Sequence, residues 1–231
     1  MKVFGVVLVL ILGANSVLSS QGETWEDGWL ALGANFGNYF QNDADLGGFY
    51  AGSLGVNFSG YGFWNHKKNI GVFFNHALLL PHQNPLAVNT IDSNYNKVVS
   101  SDFLVGPGFR HKINDKLQFH YGIGLNISLF NFLNRLNDDD KFTDQRYSFG
   151  IGGDVGLKYD ITDVMYLNIG TTLNFNFANY RVAESTADNW ANTKRDSSGW
   201  INSPMFGIRP YFAVGVNFYS RRAPLQWGKP N

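Results

Sequence analysis

Residues 117–130 read LQFHYGIGLNISLF, and this stretch constrains the fold more than any other part of the chain. Its odd positions are Leu117, Phe119, Tyr121, Ile123, Leu125, Ile127 and Leu129. Its even positions are Gln118, His120, Gly122, Gly124, Asn126 and Ser128. Successive side chains of a strand point to opposite faces, so the pattern gives one apolar face and one small, polar face. A helical period would bring Leu117, His120 and Tyr121 together and mix the two classes. At about 3.3 Å per residue and a tilt of about 40°, such a strand rises about 30 Å, the hydrocarbon thickness of a bilayer. The stretch predicts a strand that crosses a membrane.

The same alternation recurs at 29–40, 49–64, 70–80, 102–113, 147–159, 165–177 and 205–219, which makes eight expected strands. Pro107 removes a ladder donor within one of them, and a bulge is expected there. The connections alternate in kind. Residues 66–69, 114–116 and 160–163 are tight turns, whereas 81–100, 131–146 and 179–203 are long and polar; 41–47 is a polar turn. Short turns at one end and long loops at the other are the asymmetry of barrels that face the periplasm with the first and the outside with the second. The expected fold is all-β: an eight-stranded, antiparallel, up-and-down transmembrane β-barrel.

Alternation alone does not say which face looks outward, because a soluble barrel with an apolar interior alternates too. Composition decides. The polar faces carry mainly Gly, Ala, Ser, Thr and Asn, and only 16% of the residues are charged. A water-facing exterior would be rich in Lys and Glu. Eight strands leave an interior only wide enough for side chains, so small polar residues inside and bulky apolar ones outside fit best. A slightly negative mean hydropathy agrees, since half of each strand faces inward.

Three divisions follow. Residues 1–19 read as a signal peptide, with Lys2, an apolar run and then small residues; 25–219 form the barrel, and 220–231 a tail. A net charge of zero offers nucleic acid no long-range attraction. The absence of Cys excludes a disulfide framework and a thiol nucleophile.

The inward positions include Arg110, Lys112, His120, Asp154, Lys158 and Arg209. Buried charges need partners, so these are expected to form an interior network, with Asp154 paired to Arg110 or Arg209. The alternative is a gated ion path lined by the same groups. His76 and His82, with Ser93, Ser100 and Ser101, show no spacing of a nucleophile and its base, so no catalytic residue is expected. Five scattered His and the run Asp138-Asp139-Asp140 lack the spacing of a metal site, and GIGGDVG at 150–156 precedes no helix. No cofactor is expected.

Taken together, strand pattern and loop rhythm resemble the small eight-stranded outer-membrane barrels, the family of the OmpA membrane domain, OmpX and OmpW. In the last strand, Phe212, Val214, Val216 and Phe218 resemble the terminal assembly signal of such barrels, although the tail continues past the aromatic. The resemblance implies a multi-pass protein of the cell outer membrane whose partners are outer-membrane lipid and the barrel-assembly machinery. It implies a structural or binding role without catalysis, the loops at 81–100, 131–146 and 179–203 engaging an extracellular protein ligand. The alternative is an OmpW-like narrow conduit for small molecules or ions, with Leu79, Tyr39 and Phe73 forming an apolar upper chamber.

Overall fold

The computed structural model describes residues 27–43, 47–64, 69–82, 97–135, 141–185, 197–219 and 226–227. The expected signal peptide at 1–19, the acidic run at 138–140 and most of the tail lie outside them. Ten strands are present: β1 (Asp27–Asp43), β2 (Gly47–Phe63), β3 (Ile70–His82), β4 (Lys97–Lys112), β5 (Leu117–Arg135), β6 (Lys141–Asp160), β7 (Met165–Ser185), β8 (Ser197–Ile201), β9 (Met205–Tyr219) and β10 (Gln226–Trp227). Each of β1 to β7 pairs antiparallel with the next, and β9 closes the barrel by pairing with both β7 and β1. The eighth stave is made of two pieces. β8 pairs with β7 from Asn179 upward, β9 pairs with it from Asn176 downward, and residues 202–204 break the stave between them. Among the described residues no helix is found.

The faces follow the sequence pattern. Leu125 is 67% and Leu54 64% exposed, whereas His120 and Ser128 are fully buried in the lumen. Leu32, Ile123, Ile169, Phe206 and Phe212 continue the outward apolar belt around the barrel. An apolar surface on that scale far exceeds what a soluble monomer exposes, and lipid tails are the solvent it suits.

The strands run further than expected at the loop end. β4 begins at Lys97, β5 extends to Arg135, β6 starts at Lys141, and β7 and β8 take about half of 179–203. The expected loops are therefore shorter than their sequence suggests. Beyond the belt neither face meets lipid, alternation loses its meaning, and the ladder is carried by backbone hydrogen bonds, which leave no mark in side-chain pattern. Pro107 makes no bulge. The β4–β5 ladder lapses at Gly106 and Pro107 and resumes in the same register. The register shifts lie instead between Leu79 and His82 on β3 and between Phe149 and Gly150 on β6. At the second, one extra β7 residue lets both Asn176 and Asn179 face inward.

The interior is not uniformly small and polar. Near the turn end, Trp29, Tyr61, Phe63, Phe73 and Tyr166 fill it with rings. Trp29 and Tyr61 stack at 5.0 Å between centroids, and Tyr61 and Phe73 at 5.4 Å. Glycines make the room. Gly108 and Gly122 are paired neighbours on β4 and β5; a β-carbon on Gly122 would overlap the Phe73 ring, and one on Gly108 would crowd Tyr61 and Phe73. Tyr166 lies over Gly215 as Phe73 does over Gly122. The inward glycines are thus the recesses that accept the inward aromatics.

Candidate functional site

Charged groups inside the barrel are arranged in three tiers, each built around carboxylates on inward strand positions. At the turn end, Arg110 Nη1 meets Asp27 Oδ2 at 2.5 Å and its guanidinium lies 4.1 Å from the Phe63 ring centroid. Lys158 Nζ meets Asp160 Oδ1 at 2.5 Å and faces the rings of Tyr166 and Trp29 at 4.7 and 5.0 Å. Gln118 and Asn217 donate their side-chain amides to Asp160 at 3.3 and 2.9 Å.

The middle tier centres on Asp154, 2% exposed. Its carboxylate accepts hydrogen bonds from the hydroxyls of Tyr61 (2.5 Å) and Tyr211 (3.3 Å) and from the Asn75 amide (3.2 Å). His120 Nδ1 lies 3.4 Å away, and Nε2 of the same ring is 2.8 Å from Asn168 Oδ1. The tier toward the loop end centres on Asp102, 1% exposed. It accepts from Tyr39 at 3.0 Å and from Ser128 and Asn174, and Arg209 Nε lies 3.3 Å from it. Arg209 also donates to Thr172 at 2.8 Å, while Asn126, Ser128 and Asn176 bond to one another at 2.9 Å.

This geometry corrects the expected pairing. Asp154 takes neither Arg110 nor Arg209, because each arginine is held by a carboxylate on another inward position, Asp27 and Asp102. Both acids stand at the ends of the clearest alternation, where the pattern offers no reason to assign a face. Asp160 falls in an expected turn and Arg146 in an expected loop, yet both are inward and buried. Lys112 shares the inward parity but is exposed at the turn-end rim. The expected apolar upper chamber does not form as one unit. Tyr39 packs on Phe130 at 4.9 Å and Leu79 lies beside Gly37, whereas Phe73 belongs to the turn-end ring cluster with Tyr61. Simple continuation of parity from Ser59 to Tyr61 and Phe63 would have found the inward rings; their bulk argues the other way.

A cavity of about 660 Å³ opens at the turn end, below the ring cluster. Four carboxylates and four cations line it: the paired Asp27, Asp160, Arg110 and Lys158 inside, and Asp115, Asp163, Lys112 and Lys116 at the exposed rim.

Of the groups weighed for chemistry, the structure brings two together. His76 Nε2 is 3.0 Å from Ser101 Oγ, and both side chains are on the outer wall, since Asn75, Ala77 and Asp102 beside them face inward. No carboxylate hydrogen-bonds His76 among the described residues, so nothing there orients it as a base; Ser100 faces the lumen. His82's side chain and Ser93 lie outside the described residues, and so does His66, while His111 is exposed near the turn end. Among the described residues, no three metal-ligating side chains converge. On the last strand, Phe212, Val214, Val216 and Phe218 point outward, and β10 folds back to pair Trp227 with Phe218.

A closed eight-stranded barrel with an apolar exterior and a charged, ring-filled interior defines the class: a small, membrane-spanning barrel of the outer-membrane type. No protein-family model and no curated protein sequence matches the chain. Solved structures match in fold. The outer membrane protein OprG from Pseudomonas aeruginosa aligns with a TM-score of 0.57 at 13% identity, over 84% of this chain and 97% of that one. The outer membrane protein AlkL, solved in DMPC lipid bilayers, gives 0.53 at 14% identity, over 87% and 94%. A major outer membrane protein from Thermus thermophilus gives 0.52 at 12% identity, over 82% and 99%.

Proposed function

We propose that this protein is a sealed outer-membrane barrel with a structural and binding role and no catalysis, whose loop-end hairpins engage an extracellular protein ligand. One observation carries the reading: ion pairs at two levels, the hydrogen-bonded Asp154 between them and a layer of stacked rings occupy the lumen. Opening a path would require parting Trp29 from Tyr61 and Tyr61 from Asp154 together. The hairpins β5–β6 and β7–β8 continue as paired ribbons at the loop end, which suits them to present a fixed surface. The strand carrying Phe212, Val214, Val216 and Phe218 is the segment the assembly machinery would read before the barrel closes.

Planar-bilayer recording tests the seal. The refolded barrel is expected to give no discrete conductance steps, and steady steps carried by the purified protein would favour the narrow conduit instead. Deleting residues 186–196 should abolish binding to the extracellular ligand while leaving the folded band on a cold gel. Ligand binding that survives removal of that segment, of 136–140 and of 83–96 would sink the loop-end assignment.

A further inference from the structure

We propose that the outer wall of β3 and β4 is a two-fold interface in the membrane, formed with a second copy of this chain through His76 and Ser101. His76 Nε2 lies 3.0 Å from Ser101 Oγ, and among the described residues this is the only hydrogen bond either side chain makes. Strand parity turns both outward, since Asn75, Ala77 and Asp102 beside them are buried in the lumen. Apolar neighbours surround the pair on the wall. His76 stands between Phe58 and Phe103 in the ladders, and Ser101 between Leu78 and Leu129. Leu54 and Leu78 continue the belt toward the loop end, and Val105 and Ile70 toward the turn end, all four exposed. The pair is therefore set within the hydrocarbon layer, not at a rim.

Water would satisfy what such a pair leaves over, but acyl chains neither donate nor accept, so in lipid the remainder is costly. The hydrogen bond can run either way, and both ways leave the same kind of remainder. If Ser101 donates to Nε2, the Nδ1–H of His76 is left to donate and the hydroxyl oxygen to accept. If Nε2–H donates to Ser101, the hydroxyl hydrogen is left to donate and Nδ1 to accept. One open donor and one open acceptor side by side are complementary to a copy of themselves turned by a two-fold axis. A lipid ester carbonyl only accepts, and would leave the acceptor open. A second copy matches both, and two-fold pairing is the commonest symmetry of oligomers. Polar side chains that meet across membrane-spanning segments hold them together in this way. The wall lies outside the lumen and on the turn side of the loop-end hairpins, so the dimer rests neither on the seal nor on the extracellular ligand.

The chain has no cysteine, so single cysteines report which wall pairs. Leu78→Cys and Val105→Cys flank the polar pair, whereas Ile169→Cys on β7 stands across the barrel from it. Each full chain is refolded into phosphatidylcholine vesicles and cross-linked with a short bismaleimide at rising lipid-to-protein ratio. Covalent dimers are expected at Leu78→Cys and Val105→Cys, persisting as lipid dilutes the protein, and not at Ile169→Cys. Sedimentation equilibrium of the cysteine-free chain in density-matched detergent gives the dimer constant. His76→Leu and Ser101→Ala should each weaken it about tenfold, with heat-modifiable folding retained because an apolar side chain suits the belt. Should those two variants fail to fold, the cysteine series decides alone, since it leaves His76 and Ser101 in place. Monomers under every condition, cross-linking at Ile169→Cys as ready as at the flanking positions, or a dimer constant unchanged in both variants would each overturn the assignment. The polar pair would then be left to lipid carbonyls or to a different membrane protein.

Discussion

Single residues set the energetics of the lumen through the partners they hold. Asp102 faces Arg209 and three neutral donors, so Asp102→Asn strands a guanidinium that is 1% exposed. Breaking a buried pair from one side typically costs about 3–5 kcal/mol, and that loss is expected in urea titration of the folded barrel. Removing Arg209 as well, as Met, should recover most of it. Asp154→Asn is also destabilising, since an amide nitrogen would face donors from Tyr61, Asn75 or Tyr211. In this case Arg209→Met brings no recovery, and the two losses should add. A double-mutant cycle with the opposite pattern would restore the Asp154–Arg209 pairing that the geometry rejects. Glycine positions give a second residue-scale test. Gly122→Val drives a side chain into the Phe73 ring and should cost about 1–3 kcal/mol, relieved in part by Phe73→Ala. A β-carbon on Gly199 would meet nothing within 4 Å, so Gly199→Ala should stay within about 0.5 kcal/mol of wild type.

The strand is the element in which sequence and structure agree best, and β5 shows why. Leu125 and Asn126 are neighbours, one 67% exposed on the belt and the other 1% exposed in the lumen. Leu125→Arg should disfavour membrane folding by about 2–4 kcal/mol if the position is near the midplane, because no polar partner exists in lipid. Asn126→Ser loses amide donation to Ser128 and Asn176 and should cost about 1 kcal/mol, visible in urea titration in detergent or lipid alike. Equal penalties that do not respond to bilayer thickness would contradict the two faces. Where an element departs from expectation, the backbone is the cause. β8 and the upper parts of β5, β6 and β7 carry no alternation strong enough to read, yet they pair residue by residue. Pro107 leaves its ladder in register because its side chain faces outward and its missing N–H only interrupts the pairing.

At the scale of the whole molecule, closure converts eight weak signals into one object. The folded chain should be heat-modifiable on gels and require detergent for extraction, because the belt formed by Leu32, Leu54, Leu125, Ile169 and Phe212 has no other cover. A monomer that stays folded in plain buffer would rule this out. The sequence alone determined the strand class, the inward and outward faces of the belt, the two kinds of connection and thus the barrel. Those properties are local, since a period of two and a turn are written in consecutive residues. Closure was needed for everything that depends on distance across the lumen. It assigned Arg110 to Asp27 and Arg209 to Asp102, surrounded Asp154 with tyrosines, and set the Phe73 ring of β3 over Gly122 of β5. Partners across a barrel are chosen by shear and radius, which place residues far apart in sequence at one height, and no residue's neighbours along the chain record that choice.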